Sequence, residues 1–306
     1  STPKPSSAAS DVYKRQIAWL VLIYAVSWWF VKTSIKPDIA LARKLLGSDW
    51  GGKFADKMLN GYGEHEVEVI RLEKLSRKIA PGLALLYTFG GTFLAWDFVM
   101  TLDQEWFSTL FGVFFIIGNM HAFLGLMLAI SVTVRNRFGI EEYITINRLH
   151  DLAKMVFAFA LLWAYMGYSQ YLVIWYADLP EETPYLVIRS MEQPWSTMFL
   201  LIIIGVFAIP FLGLLPKTFC RMPNYTRAMG IWVVIGQWFA IYLMVVPSLQ
   251  HFGHYHVNLG LHEILITLGF IGIFFLSYFT FLGKVPILPI SDKHLCRSWH
   301  LSLIHI

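Results

Sequence analysis

Seven apolar runs set the limits on this chain. They cover about 17–31, 79–102, 106–134, 149–177, 195–215, 228–246 and 262–282. As helices rising 1.5 Å per residue, runs of roughly 20 residues cross the hydrocarbon core of a bilayer, about 30 Å thick. In lipid every backbone N–H and C=O must find a partner within the protein, which leaves helices or closed barrels. The runs are continuous and show no two-residue alternation, which selects helices. The expected fold is therefore all-α, a polytopic transmembrane helix bundle. The 306 residues are 57% hydrophobic and 14% charged, against about a quarter charged in a soluble domain.

Charge between the runs gives orientation. The segment 32–78 carries ten basic residues, among them Lys53, Lys57, Lys74 and Lys78. Three lie between the third and fourth runs (Arg135, Arg137, Arg148) and three between the fifth and sixth (Lys217, Arg221, Arg227). The alternate loops hold only Arg189. By the positive-inside rule, 32–78 and the other basic loops are cytoplasmic, and the acidic or His-rich loops face outward. Lys14 and Arg15 break the pattern. Within 32–78, the part 37–49 is expected as a surface helix and 64–78 as an amphipathic helix leading into the second run.

The domain reading is a tail, 1–16, a bundle, 17–285, and a C-terminal tail, 286–306. The strings DVYKRQ and LSLIHI resemble spurious ends on open reading frames from assembled sequencing reads. True residues are expected before Ile17.

Cys220 and Cys296 are far apart and outside the runs. A cysteine-ligated iron–sulfur cluster takes about four such ligands, and no C-x-x-C-H haem attachment occurs. No nucleic-acid motif is present. His121 lies about 15 residues into its run, near the midplane, and no second histidine shares its depth to complete a bis-histidine haem. The expectation is no haem, no cluster and no metal in this chain. The outer stretch HFGHYHVNLGLHE (His251, His254, His256, His262, Glu263) lacks a structural zinc spacing; subunit contact is its preferred reading, with His254 and His256 as candidates.

An ionisable group inside a membrane is a functional candidate by default. His121 is read either as such a group or as a neutral ring bonded to a neighbouring helix. Tyr165 and Gln237 are its candidate partners by depth. Asp97, near the outer end of the second run after Gly90-Gly91, is read as a proton carrier or as a hydrated helix-end carboxylate. A depth gap of roughly 14 Å at 1.5 Å per residue separates Asp97 from His121, so a relay through tyrosines, serine and water would have to link them. Tyr165, Ser169 and Tyr176 recur at helical spacing, with Tyr168 and Gln170 beside them. That face suits a proton path, a quinone head group or plain interhelical packing. His150, Asp151 and Lys154 mark the inner end of the fourth run, as a cytoplasmic proton entry or as a helix-end pair. Asp178, Glu181 and Glu182, with Pro180, form an acidic outer loop suited to subunit contact.

Two stretches carry a family likeness: WDFVMTLDQEWFSTLFGVFFIIGNMHAFLG (96–125) and LHDLAKMVFAFALLWAYMGYSQYLVIWYADLPEET (149–183). They resemble an NrfD-like integral membrane subunit of bacterial alternative complex III, most closely the second of its two large membrane subunits. The resemblance covers about 17–289. It implies a multi-pass protein of the bacterial inner (cytoplasmic) membrane within a quinol:cytochrome c oxidoreductase, with quinone or quinol as substrate. It also implies a paralogous membrane subunit and periplasmic iron–sulfur and haem c subunits as partners. Family members have about ten spans; seven visible here fit an N-terminally truncated fold. Such a subunit would contribute to quinone binding or a proton path and would not be catalytically complete alone. The alternatives are a scaffold docking periplasmic redox subunits, or a stand-alone transporter, for which no internal repeat is found.

Overall fold

A computed structural model describes residues 7–47, 49–103, 105–250, 257 and 260–291, with side chains from Val12 onward. The protein is all-α: no strand occurs among the described residues, and seven helices are long and apolar enough to cross a membrane. The helices are α1 (Ser7–Leu46), α2 (Gly52–Leu59), α3 (His65–Phe98), α4 (Phe111–Phe138), α5 (Ile146–Ala177), α6 (Thr183–Ser190), α7 (Trp195–Ile202), α8 (Ile209–Leu214), α9 (Lys217–Cys220), α10 (Pro223–Val245) and α11 (Leu261–Leu282).

The chain divides into two compact units: Ser1–Gln16 with Thr88–Val257, and Ile17–Tyr87 with Asn258–Ile306. The first is built around α4, α5 and α10. At the crossing of α4 and α10 the backbones nearly touch. A Cβ on Gly230 would lie 2.4 Å from the carbonyl oxygen of Gly125, and one on Gly125 would lie 2.9 Å from that of Gly230. Leu124, Leu128, Val132, Ala153, Val156 and Val233 fill the space on one side of this crossing. Trp163, Trp195, Ile202, Val206 and Ala240 fill it on another.

The span formed by α7 and α8 is interrupted by a π-helical turn, Ile203–Ala208. Pro210 accounts for it. Proline has no N–H for the carbonyl four residues back, and its ring crowds that carbonyl, so the chain widens locally. One carbonyl of the widened turn, Gly205 O, accepts a hydrogen bond from Trp232 Nε1 at 2.8 Å. At the end of α5, Asp178 takes the left-handed conformation (φ 47°) and turns the chain toward α6.

In the second unit, Ile39 of α1 packs with Ala55 and Met58 of α2. Here one expectation is corrected. The stretch 37–49 is not a separate surface helix; α1 runs unbroken from the first apolar run to Leu46. No glycine occurs before Gly47, and it is there, at φ 111°, that the helix stops. The 64–78 segment is helical and continuous with its span, as expected. No residue of α11 is buried.

Candidate functional site

A cavity of about 830 Å³ opens beside α5 in the first unit, bounded by α4, α6, α7 and α10. Its volume falls within the range usual for small-molecule sites, roughly 300–1,000 Å³. Leu161, Tyr165, Tyr168 and Met191 are exposed and form its rim. Trp106, Trp163, Gln170, Tyr185 and Arg189 are buried in its wall.

The wall is layered. The Trp106 and Tyr185 rings stack at 3.7 Å with 6° between planes. The Arg189 guanidinium lies 3.5 Å from the Tyr185 ring centre. At such distances the indole and the guanidinium must occupy opposite faces of the phenol ring. Arg189 is held by donation to Leu243 O (3.2 Å), Met244 O (3.0 Å), Ser248 Oγ (2.6 Å) and Tyr185 O (2.9 Å). It thereby ties α6 to the end of α10, whose last carbonyls lack helical partners. Burial raises the pKa of the Tyr185 phenol; Arg189 opposes this and Asp103 adds to it. The ring therefore stays neutral through the physiological range.

Polar atoms in this wall are few. Gln170 Oε1 accepts from Ser108 Oγ at 3.2 Å. The indole N–H groups of Trp106 and Trp163 are buried and have no acceptor among the described residues. Burying such a donor without a partner costs about 1–3 kcal/mol. An apolar slot walled by aromatic rings suits a flat ligand.

His121 and Gln237 lie just beyond Trp163. His121 is fully buried, and its Nδ1 is 3.0 Å from Gln237 Nε2. The amide N–H donates in this arrangement, so a neutral ring carries its proton on Nε2. That nitrogen has no hydrogen-bond partner among the described residues. Gly118 joins the pair to the cavity wall. The position its Cβ would take is 3.2 Å from Gln237 Oε1 and 3.3 Å from Trp163 Nε1.

The predicted residues are thus sorted. His121 meets Gln237, as depth suggested, but not Tyr165, which is 62% exposed at the cavity rim. Tyr168 and Gln170 line the cavity. Ser169 does not; its hydroxyl donates to Tyr165 O on its own helix at 2.8 Å. Tyr176 is 85% exposed, so the Tyr165–Ser169–Tyr176 face looks away from the buried core. Asp97 is buried and accepts from Arg15, with Arg15 Nε at 2.9 Å. Its partner lies within 1–16, which the sequence reading sets apart from the bundle. Asp151 pairs with Lys154 at 2.7 Å, with His150 4.0 Å from Asp151, on the surface of α5 and away from the cavity. Asp178 and Glu181 are exposed and Glu182 half-buried after α5. His254 and His256 lie outside the described residues. Among the described residues no three His, Cys, Asp or Glu side chains converge to hold a metal.

Sequence reasoning missed Arg189, Trp106, Trp163 and Tyr185. For Arg189 the signal was present, since it is the only basic residue in the outward loops. Compared with models of known protein families and with curated proteins, the chain matches none.

Proposed function

We propose that this multi-pass membrane protein is an NrfD-like subunit of a quinol-oxidising complex of the bacterial inner membrane, and that the cavity beside α5 holds the quinone head group. The aromatic lining of Trp106, Trp163 and Tyr185 carries this reading. These rings form a slot, and a quinone offers a flat ring with two carbonyl acceptors. Gln170 adds a polar group. The exposed rim at Tyr165 and Tyr168 lets an isoprenoid tail remain in lipid.

Oxidation of a quinol releases two electrons and two protons. The electrons would go to iron–sulfur and haem c centres on periplasmic partner subunits, beside a paralogous membrane subunit. His121, bonded to Gln237 and close behind Trp163 of the cavity wall, is the candidate proton acceptor. The exposed acidic residues Asp178 and Glu181 suit docking of such partners, which is also what a scaffold subunit would need.

The test is quinol:cytochrome c turnover of the complex expressed with its neighbouring subunits, with co-purification as the check on assembly. Gln170→Leu, through loss of one hydrogen bond of about 1.4 kcal/mol, and Trp106→Leu, through loss of a ring contact of similar size, are each expected to raise KM for quinol by about tenfold. His121→Leu is expected to lower kcat. Unchanged kinetics in all three, with assembly intact, would leave the scaffold reading.

A further inference from the structure

The second unit holds a basic recess at the edge of the bilayer. The apolar helix α11 ends at Leu282, and its 22 residues span about 33 Å at 1.5 Å per residue. The hydrocarbon border therefore falls close to Gly283. Phe54 of α2 packs edge-on against Phe281, with ring centres 6.4 Å apart, and Lys284 Nζ lies 5.8 Å from the Phe54 ring centre. These contacts put α2 at the level where α11 leaves the hydrocarbon. The short helix is two-sided. Ala55 and Met58 are buried against Ile39, whereas Lys53 and Lys57, one turn apart, are exposed.

Arg43 completes the recess. Its Nε donates to Trp50 O and its Nη2 to Gly52 O, both at 3.0 Å. It also pairs with Asp56 at 2.7 Å. Arg43, Lys53, Lys57 and Asn60 thus surround a shallow depression whose one carboxylate, Asp56, is already balanced by Arg43.

We infer that this recess binds the phosphate of an anionic phospholipid in the leaflet on the basic-loop side. Lysine ammonium groups serve as point charges for phosphate, and Phe54 and Leu59 continue the site toward the acyl chains. A free phosphate would satisfy the same cations but has no use for the border position or the apolar continuation. Anionic headgroups concentrate at this level, and their attraction for lysine is well established in size.

The purified full chain would be loaded with phosphatidylglycerol or phosphatidylcholine, and retained lipid counted by native mass spectrometry. Preferential retention of phosphatidylglycerol is expected. Lys53→Ala/Lys57→Ala should weaken it about 30-fold, about fivefold for each lysine near an anionic surface. Lys53→Arg/Lys57→Arg should preserve it, and Lys74→Ala/Lys78→Ala, elsewhere in the same basic segment, should leave it unchanged. Equal retention of the two lipids, or equal loss from the Lys74/Lys78 variant, would overturn the inference. Displacement of the lipid by millimolar inorganic phosphate would assign the recess to a free anion instead. Circular dichroism of each variant confirms that the helices persist.

Discussion

Helices α4 and α11 are almost equally apolar. They differ completely in use. Of the most apolar 18 residues of each, 44% are buried within the chain in α4 and none in α11. Both contain glycines. Those of α4 let other groups approach: Gly112 faces Thr92, Gly118 faces Gln237 and Trp163, and Gly125 meets the backbone of α10. Gly269 and Gly272 of α11 have nothing within 4 Å of where a Cβ would stand. The polar residue follows the same rule, since α4 can carry His121 because α10 supplies Gln237. Hydropathy thus reports that a helix belongs in the membrane, whereas glycine contacts and paired polar groups report what it packs against.

The sharpest way to break this contrast is a single methyl group. Gly230→Ala should destabilise the protein by about 3 kcal/mol, because an overpacked helix crossing has no slack. Gly269→Ala should be neutral or stabilising by up to about 1 kcal/mol through helix propensity. Thermal unfolding in detergent compares them, and equal effects would erase the distinction. Arg189→Met comes next. It leaves the Leu243 and Met244 carbonyls without their side-chain donor and should cost about 2 kcal/mol, read by the same method. A smaller effect is expected for the buried pair. A double-mutant cycle on His121→Leu and Gln237→Leu should give a coupling of about 1 kcal/mol, whereas polar residues of α11 such as Ser277 should give none with their neighbours.

A further effect is one of pH, confined to the alkaline range. Burial raises the Tyr185 phenol above its ordinary value of 10.0. The folded state holds that proton more tightly than the unfolded chain. Its contribution is therefore complete below pH 10 and is lost as pH rises from 10 toward the folded value, at up to about 1.4 kcal/mol per pH unit. Tyr185→Phe should remove this alkaline component from a pH series of unfolding midpoints.

The seven spans were legible because length and hydropathy suffice for them. The His121–Gln237 pair was legible because counting residues from the loops gives depth. Tyr165 was offered as a second partner of His121 because depth ignores rotation; it stands instead at the cavity rim. The buried stripe of α5 runs through Val156, Trp163, Gln170 and Ile174, and Tyr165 stands about 200° around the helix from Trp163 at 100° per residue. Arg189 stood out as the one basic residue of the outward loops, but its role was not legible. It depends on carbonyls 54 and 55 residues away at the end of α10, a meeting that no local pattern announces. The basic recess was half legible: the charges of 32–78 were evident, but their gathering at α2 required the fold.

The proposed occupation of the cavity beside α5 by a quinone is open to photolabelling with an azido-quinone and mapping of the labelled peptides. Label is expected on α5 between Leu161 and Ile174 and on α6, reduced by Gln170→Leu and displaced by unlabelled quinone. Label spread over α1 and α11 in proportion to their lipid exposure, and indifferent to Gln170, would contradict it.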